Sequence, residues 1–401
     1  MNWLFTDMDS FFASVEQFLQ TKLRSRPVAV IPMNTDSTCV IAASYDAKRC
    51  GVKVGTGVRE ARYLCPGIVF VKARPQLYVE MHHRILSSVD KCAPVTRVYS
   101  IDEWSTRLCG EDQHPEQAQR LARQIKQQIL ADFGPWMTCS IGIASSRLLA
   151  KMASSLEKPD GLTVLSVGDM PGRLEHLPLK SLCGISDGML TRLNRNGIGN
   201  VRDLWEISQE RAVQIWGSVC GARWWAGFHG YDEPEPPTRR RSMSHGNVLE
   251  PRFRNEEGAR CILIRLTCKL AQRLRRNGYL AKNMSVSIAD NRGGRLFGKI
   301  SLPCVNDTPT LLQQFYKLWQ QLSPTVASIK KVDVCVSELV LASQVPRSLF
   351  DENEKLQRLS QAIDQINQCW GSQTIYFGVV HHYRQLMENK IAFGRIPEAS
   401  D

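Results

Sequence analysis

The 401-residue sequence has no run of about 18 apolar residues, which excludes an ordinary membrane-spanning helix. A secretory leader is not expected either. Asp7 and Asp9 interrupt the first apolar stretch, and no basic segment precedes it. The 13 cysteines contain no C-x-x-C pair, and the two closest are Cys261 and Cys268. That spacing argues against a zinc ribbon or a disulfide framework and fits reduced, mostly buried thiols in a cytoplasmic protein. No internal repeat is visible. Acidic residues are the scarcer charge, 39 against 51 Lys and Arg, which leaves a net charge of +12. The apolar (43%) and charged (22%) fractions are those of a globular chain, and the length predicts two to four domains.

The charge is unevenly placed. Between Arg239 and Ser343 there are 18 Lys or Arg and 7 Asp or Glu, so +11 of the excess lies in about a quarter of the chain. A module that docks on phosphate has this concentration. Ahead of it, Tyr231 to Pro237 carries three prolines, which remove donors and fix φ, and reads as a linker ending in Arg239-Arg240-Arg241.

Residues 2–9 predict a strand on which Trp3, Phe5, Asp7 and Asp9 share one face. A helix follows, with Ser10 as its N-cap. Val95 to Leu108 predicts a hairpin around Ser100 to Glu103. In the basic segment the clearest strands are 283–289 and 332–340, and the clearest helix is Ala259 to Arg276. The tail from Glu352 predicts an amphipathic helix with Leu356, Leu359, Ile363, Ile366 and Trp370 on one face. If the two acid-bearing strands pair, Asp7, Asp102 and Glu103 converge at one sheet edge. Like charges so close repel unless a divalent cation joins them, and hard oxygen ligands select Mg2+ or Mn2+.

The segment Asp7-Met8-Asp9-Ser10-Phe11-Phe12-Ala13-Ser14-Val15-Glu16 resembles the opening motif of the Y-family, or lesion-bypass, DNA polymerases. Further matching segments follow in the family's order: Ala43 to Lys48 with Gly51 to Gly55, Tyr99 to Glu103, and Ser140 to Ala144 running into Leu149 to Ser154. Lys158 to Gly161 comes next, and Leu177-Pro178-Leu179 then precedes a helix-hairpin-helix-like segment. The resemblance covers roughly residues 1 to 345. It implies an α+β, multidomain right-hand polymerase: palm 1–10 and 77–165, fingers 11–76, thumb 166–230, linker 231–241, little finger 242–343 and tail 344–401.

The resemblance also implies roles. Asp7, Asp102, Glu103 and the Met8 carbonyl would hold two Mg2+ ions. Phe12 would be the steric gate against a 2′-hydroxyl, with Phe11 beside it, and Tyr45, Lys48 and Lys158 would contact the deoxynucleoside triphosphate. The partners would be primer-template DNA and nucleotides in damage tolerance, in the cytoplasm at the nucleoid, with no membrane. For DNA phosphate the candidates are Arg239, Arg240, Arg241, Arg273 and Arg276, with Arg275 on the same helix. Gln344 to Phe350 resembles a sliding-clamp-binding peptide anchored by Leu349 and Phe350. The front motifs are of DinB type and the tail resembles UmuC-type members. Several positions depart from the pattern, among them Ser186, which replaces the second glycine of the usual hairpin. Lys48 replaces a common Arg, Trp104 stands where a small residue is usual and would crowd the metals, and Arg107 stands where an acid is common. The alternative is a catalytically silent DNA-binding accessory protein of the same fold.

Overall fold

The structure, a computed structural model, describes residues 1–234, 239–322, 328–345, 354–371, 373–383 and Ile396. The chain forms two compact units: among the described residues, 1–234 with Ile396 make the first and 239–383 the second.

The strands of the first unit are β1 (Trp3–Met8), β2 (Val28–Ile31), β3 (Ala42–Ala43), β4 (Val69–Lys72), β5 (Arg97–Val98), β6 (Glu103–Arg107), β7 (Cys139–Ala144) and β8 (Leu162–Leu165). Its helices are α1 (Phe11–Leu19), α2 (Tyr45–Arg49), α3 (Val58–Leu64), α4 (Pro75–Val89), α5 (Pro115–Phe133), α6 (Arg147–Leu156), α7 (Asp187–Arg195), α8 (Val201–Glu206), α9 (Gln209–Trp216) and α10 (Cys220–Phe228). The main sheet runs β5-β6-β1-β7-β8, and a smaller one runs β3-β2-β4. β1 is central and apolar on both faces, as a strand covered on both sides must be. Leu4 and Met8 enter a core with α1, α4 and α5. Trp3 and Phe5 enter a second core with α6 and the helices that follow it. Gly142 on β7 permits that second layer to close. A Cβ there would stand 2.0 Å from the Ala150 carbonyl oxygen.

Ser10 does not cap α1 with its side chain. It takes a left-handed φ of 49°, and its carbonyl accepts from the Ala13 and Ser14 amides. The chain turns out of β1 at this point, so Asp9 leaves the face that carries Trp3, Phe5 and Asp7.

The second unit is an antiparallel sheet of β9 (Ser242–Val248), β10 (Tyr279–Asp290), β11 (Arg295–Val305) and β12 (Ile329–Ser337), ordered β11-β10-β12-β9. β12 stops before the expected 340, because Glu338 takes a φ of 55°, and β13 (Val340–Leu341) then pairs with β10 instead. Helices α11 (Glu256–Arg276) and α12 (Thr308–Leu322) share the core with the inward residues Val332, Val334 and Val336 of β12 and Met284, Val286 and Ile288 of β10. α13 (Glu354–Trp370) docks through buried Ser360, whose hydroxyl accepts from the Thr308 amide, and through Asp364. Leu359 and Trp370, expected on the docked face, are exposed. The chosen face is the one whose polar groups find partners.

The thiols are less buried than expected: Cys65, Cys139 and Cys261 are buried, while Cys39, Cys50, Cys109, Cys220 and Cys369 are exposed. Among the described residues no helix is long and apolar enough to cross a membrane.

Candidate active site

β1 and β6 pair in the register that sets Asp7 opposite Glu103. Partners in one register row share a face, so both carboxylates project together. Asp102, in the turn before β6, joins them because its carbonyl accepts from the Met8 amide at 2.9 Å. Its carboxylate accepts from the Ser100 hydroxyl at 2.5 Å. Three acids thus meet at the end of the sheet where the chain turns into α1.

Two lysines reach them. Lys158 Nζ lies 2.5 Å from Asp7 Oδ1, and Lys151 Nζ donates to Glu103 Oε2 at 2.7 Å. Burial pushes the Asp7 carboxyl up to about 7 against the opposing pull of Lys158, and Glu103 and Asp102 add to the rise. The Asp102 carboxyl is also raised, by burial first and then by Glu103, while the Ser100 hydrogen bond pulls it back. Among the described residues no group of three or more His, Cys, Asp or Glu side chains is arranged to hold a metal ion as it stands. The donor chemistry nonetheless fits a hard divalent cation: carboxylate oxygens at one edge, with Asp7 and Asp102 raised by burial and by Glu103 beside them.

The expected nucleotide residues cluster beside this edge. Tyr45 opens α2 and donates its phenolic proton to Asp9 Oδ1 at 3.3 Å. Burial and Asp9 hold its hydroxyl well above the ordinary range. The Lys48 ammonium stands 4.2 Å from the centroid of the Tyr45 ring. Burial, and then Lys158, lower its proton affinity. Phe11 and Phe12 are both core side chains. The Phe12 ring stacks on Tyr78 with centroids 4.5 Å apart. The Tyr78 hydroxyl donates to Glu16 at 2.7 Å, and Arg74 also pairs with Glu16, so the stack is held from beneath.

Trp104 does not crowd the carboxylates. It pairs with Thr6, one position along from the Asp7–Glu103 row, so its side chain takes the opposite face of the sheet and is fully buried in the α4–α5 core. Arg107 points elsewhere too, lying 5.1 Å from the Trp3 ring centroid and pairing with Asp232 at 2.6 Å. The Trp3 indole also donates to Asp232, at 2.5 Å, so the first residues of the expected linker are tied to β1.

In the second unit the arginines part company. Arg239, Arg240 and Arg241 are exposed, and Arg240 donates to Asn277 at 2.7 Å. Arg276 is exposed, whereas Arg273 is half-buried and reaches the Ser244 carbonyl at 3.4 Å. Arg275 is not a surface cation. It grips Asp364 through two nitrogens at 2.6 and 3.0 Å and also donates to the Asn306 carbonyl. Leu349 and Phe350 lie outside the described residues.

Three features escaped the sequence reading: Asp9, Lys151 and the open face of the second sheet. Register aligns Ser242, Ser337, Asn283 and Ser301 in one row of that face, and Ser244, Cys335, Ser285 and Lys299 in the next. Gly246, Asp333, Ser287 and Phe297 follow, then Val248, Lys331, Ala289 and Arg295. Small polar side chains thus pave the face, with Lys299, Arg295 and Lys331 along it. The alternation in 283–289 carried the signal, because its outward positions are Asn283, Ser285, Ser287 and Ala289.

Residues 6–155 match the impB/mucB/samB family, and residues 240–349 match the impB/mucB/samB family C-terminal domain. The DNA polymerase IV of Moorella thermoacetica is 35% identical over 384 residues, 94% of this chain and 95% of its own length. That of Pelotomaculum thermopropionicum is 30% identical over 383 residues, 93% of each chain. In fold, the chain is similar to a solved Y-family DNA polymerase chimera, Dbh-Dpo4(243-245)-Dbh. The TM-score is 0.71 at 23% identity, over 85% of this chain and 100% of that one. The chain belongs to the impB/mucB/samB family and is a Y-family DNA polymerase of the DinB type.

Proposed function

We propose that this chain extends a DNA primer across damaged template by phosphoryl transfer at the Asp7–Asp102–Glu103 edge. The observation that carries the reading is the register pairing of Asp7 with Glu103, with Asp102 hydrogen-bonded to the same strand end. The primer's 3′ oxygen attacks the α-phosphorus of a deoxynucleoside triphosphate, the bond to the bridging oxygen breaks, and pyrophosphate leaves. Asp7, Asp102, Glu103 and the Met8 carbonyl would hold two Mg2+ or Mn2+ ions. When bound, such ions would supply positive charge that offsets the negative charge developing at the transferring phosphate.

The chain's own residues position and neutralise. Lys158 and Lys48 set cations beside the carboxylates, where they can balance the negative charge of a triphosphate. Phe12, braced by Tyr78, is the ring against which a 2′-hydroxyl would clash. The open, small-residue face of the second sheet, with Lys299, Arg295 and Lys331, is the stronger candidate for duplex phosphate than Arg273. Arg239 to Arg241 remain candidates, as does Arg276. By the family's layout, β1, β5–β8 and their helices are the palm, and β2–β4 with α1–α3 the fingers. The helices α7–α10 are the thumb, and β9–β12 with α11 and α12 the little finger. Leu349 and Phe350 are proposed as a sliding-clamp anchor; deleting them should remove stimulation by the clamp and spare basal extension.

The silent accessory reading drew its motive from Trp104 and Arg107 beside the carboxylates. Both side chains are placed elsewhere, and no observation now favours it. The test is primer extension on undamaged and lesion-bearing templates with Mg2+ and with EDTA. Extension that needs the metal supports the reading. Tight DNA binding without incorporation of any nucleotide would overturn it.

A further inference from the structure

Asp9 is 1% exposed, an expensive place for a carboxylate, and the groups that bond its side chain come from widely separated points of the first unit. Its Oδ1 accepts from the Tyr45 hydroxyl at 3.3 Å and the Ser140 hydroxyl at 2.9 Å. Its Oδ2 accepts from the Thr138 hydroxyl at 3.0 Å and the Asp160 amide at 2.8 Å. Its own amide donates to the Thr138 carbonyl at 2.9 Å, and its carbonyl accepts from Ser14 at 2.6 Å. One side chain therefore joins the strand end that carries Asp7, the helix that carries Tyr45 and Lys48, and the loop that carries Lys158. That loop is held on its other side by Lys126, which donates to the Asp160 carbonyl at 2.7 Å and its carboxylate at 2.5 Å.

We propose that Asp9 is the positioning residue that fixes Tyr45 and the Lys158–Gly161 loop against each other and so sets the geometry that receives the triphosphate. The inference rests on the polymerase reading of the site. Asp9 touches none of the reacting groups; it acts through Tyr45 and Lys158. A packing role alone would be served by a smaller neutral residue. Only an ionised carboxylate accepts on both oxygens from four donors at once. The phenol and the two hydroxyls can turn to accept instead, but the Asp160 amide cannot. An Asn at this position would therefore keep its oxygen on Asp160 and offer its NH2 to Tyr45 and Ser140, so the charge-assisted tie to α2 becomes a weaker neutral one.

The experiment is steady-state single-nucleotide incorporation by the full chain with Mg2+, read beside melting temperature and primer-template affinity. Asp9→Asn should raise KM for the nucleotide about tenfold, with kcat changed far less and DNA affinity unchanged. Tyr45→Phe should raise KM in the wild-type background and raise it by less in the Asp9→Asn background. Thr138→Val, which removes one donor and keeps the size, serves if Asp9→Asn does not fold; it should raise KM a fewfold at unchanged melting temperature. A folded Asp9→Asn protein with wild-type KM, or a Tyr45→Phe effect undiminished in that background, overturns the inference. So does a Thr138→Val protein with unchanged KM where Asp9→Asn cannot be purified. If the wild-type chain itself incorporates nothing, it is the polymerase reading that has failed.

Discussion

Asp7 and Glu103 face each other across β1 and β6 as partners of one register row, each with a lysine at its carboxylate. Their closeness has no structural purpose in itself. Burial pushes the Asp7 carboxyl up to about 7, and the charge of Glu103 adds to that rise. Such an arrangement persists where function requires it. Asp102→Ala and Asp7→Asn should each reduce primer extension about a hundredfold or more, since each removes charge stabilisation at the reacting centre. Asp102→Ala should leave the melting temperature of the metal-free protein nearly unchanged, because it removes a carboxylate that burial penalises, whereas Asp7→Asn also gives up the pair with Lys158. Extension at wild-type rate by a folded Asp102→Ala protein would sink the mechanism.

Much of this site was legible because strand periodicity and order fix it. The alternation of Trp3, Phe5 and Asp7, with a hairpin at Ser100–Glu103, leads directly to a shared edge once the strands pair. Asp9 was not legible. Alternation placed it beside Asp7, whereas the left-handed Ser10 takes the chain off the strand, and its donors come from residues as distant as Asp160. Trp104 was misread for a related reason. Next to Glu103 in sequence means the opposite face in a strand. Arg275 and Arg276 are neighbours of identical type, and contacts with Asp364 and the Asn306 carbonyl make the first an anchor while the second is exposed.

Phe12 lies in the core with its ring on Tyr78, so its removal has two separable effects. Phe12→Ala should cost about 3 kcal/mol of stability, as large-to-small core changes do. It should also raise ribonucleotide incorporation relative to deoxyribonucleotide by up to about a hundredfold. Sugar preference measured at a temperature where the variant is folded separates the two. A destabilised protein with unchanged sugar preference would refute the gate and leave the packing.

Arg275 and Arg276 offer a paired control. Arg275→Ala strips Asp364 of its partner and leaves the Asn306 carbonyl without its donor, so α13 should loosen at a cost of about 3 kcal/mol. Hydrogen exchange over 354–370 should rise and DNA affinity should hold. Arg276→Ala, at an exposed position, should leave exchange over 354–370 unchanged. Weakened DNA binding by folded Arg275→Ala protein would mean that the guanidinium also serves the duplex.

The open face of the second sheet makes the sharpest claim about DNA. Arg295 is held flat by its bond to the Ser287 hydroxyl at 2.8 Å, and Lys331 shares its charge with Asp333 at 3.2 Å. Lys299 has only Ser285 beside it in the row and should be the strongest contributor of the three. Each cation that meets phosphate releases counterions, so its loss lowers the slope of log affinity against log salt by about 1. Lys299→Ala should do this and weaken binding to every duplex sequence alike, since a phosphate contact carries no sequence information. Lys331→Ala should change the slope less, because Asp333 already offsets part of its charge. Binding isotherms of the full chain on one primer-template between low and moderate salt measure both slopes. Equal, unchanged slopes would move the duplex off this face and return the contact to Arg239–Arg241.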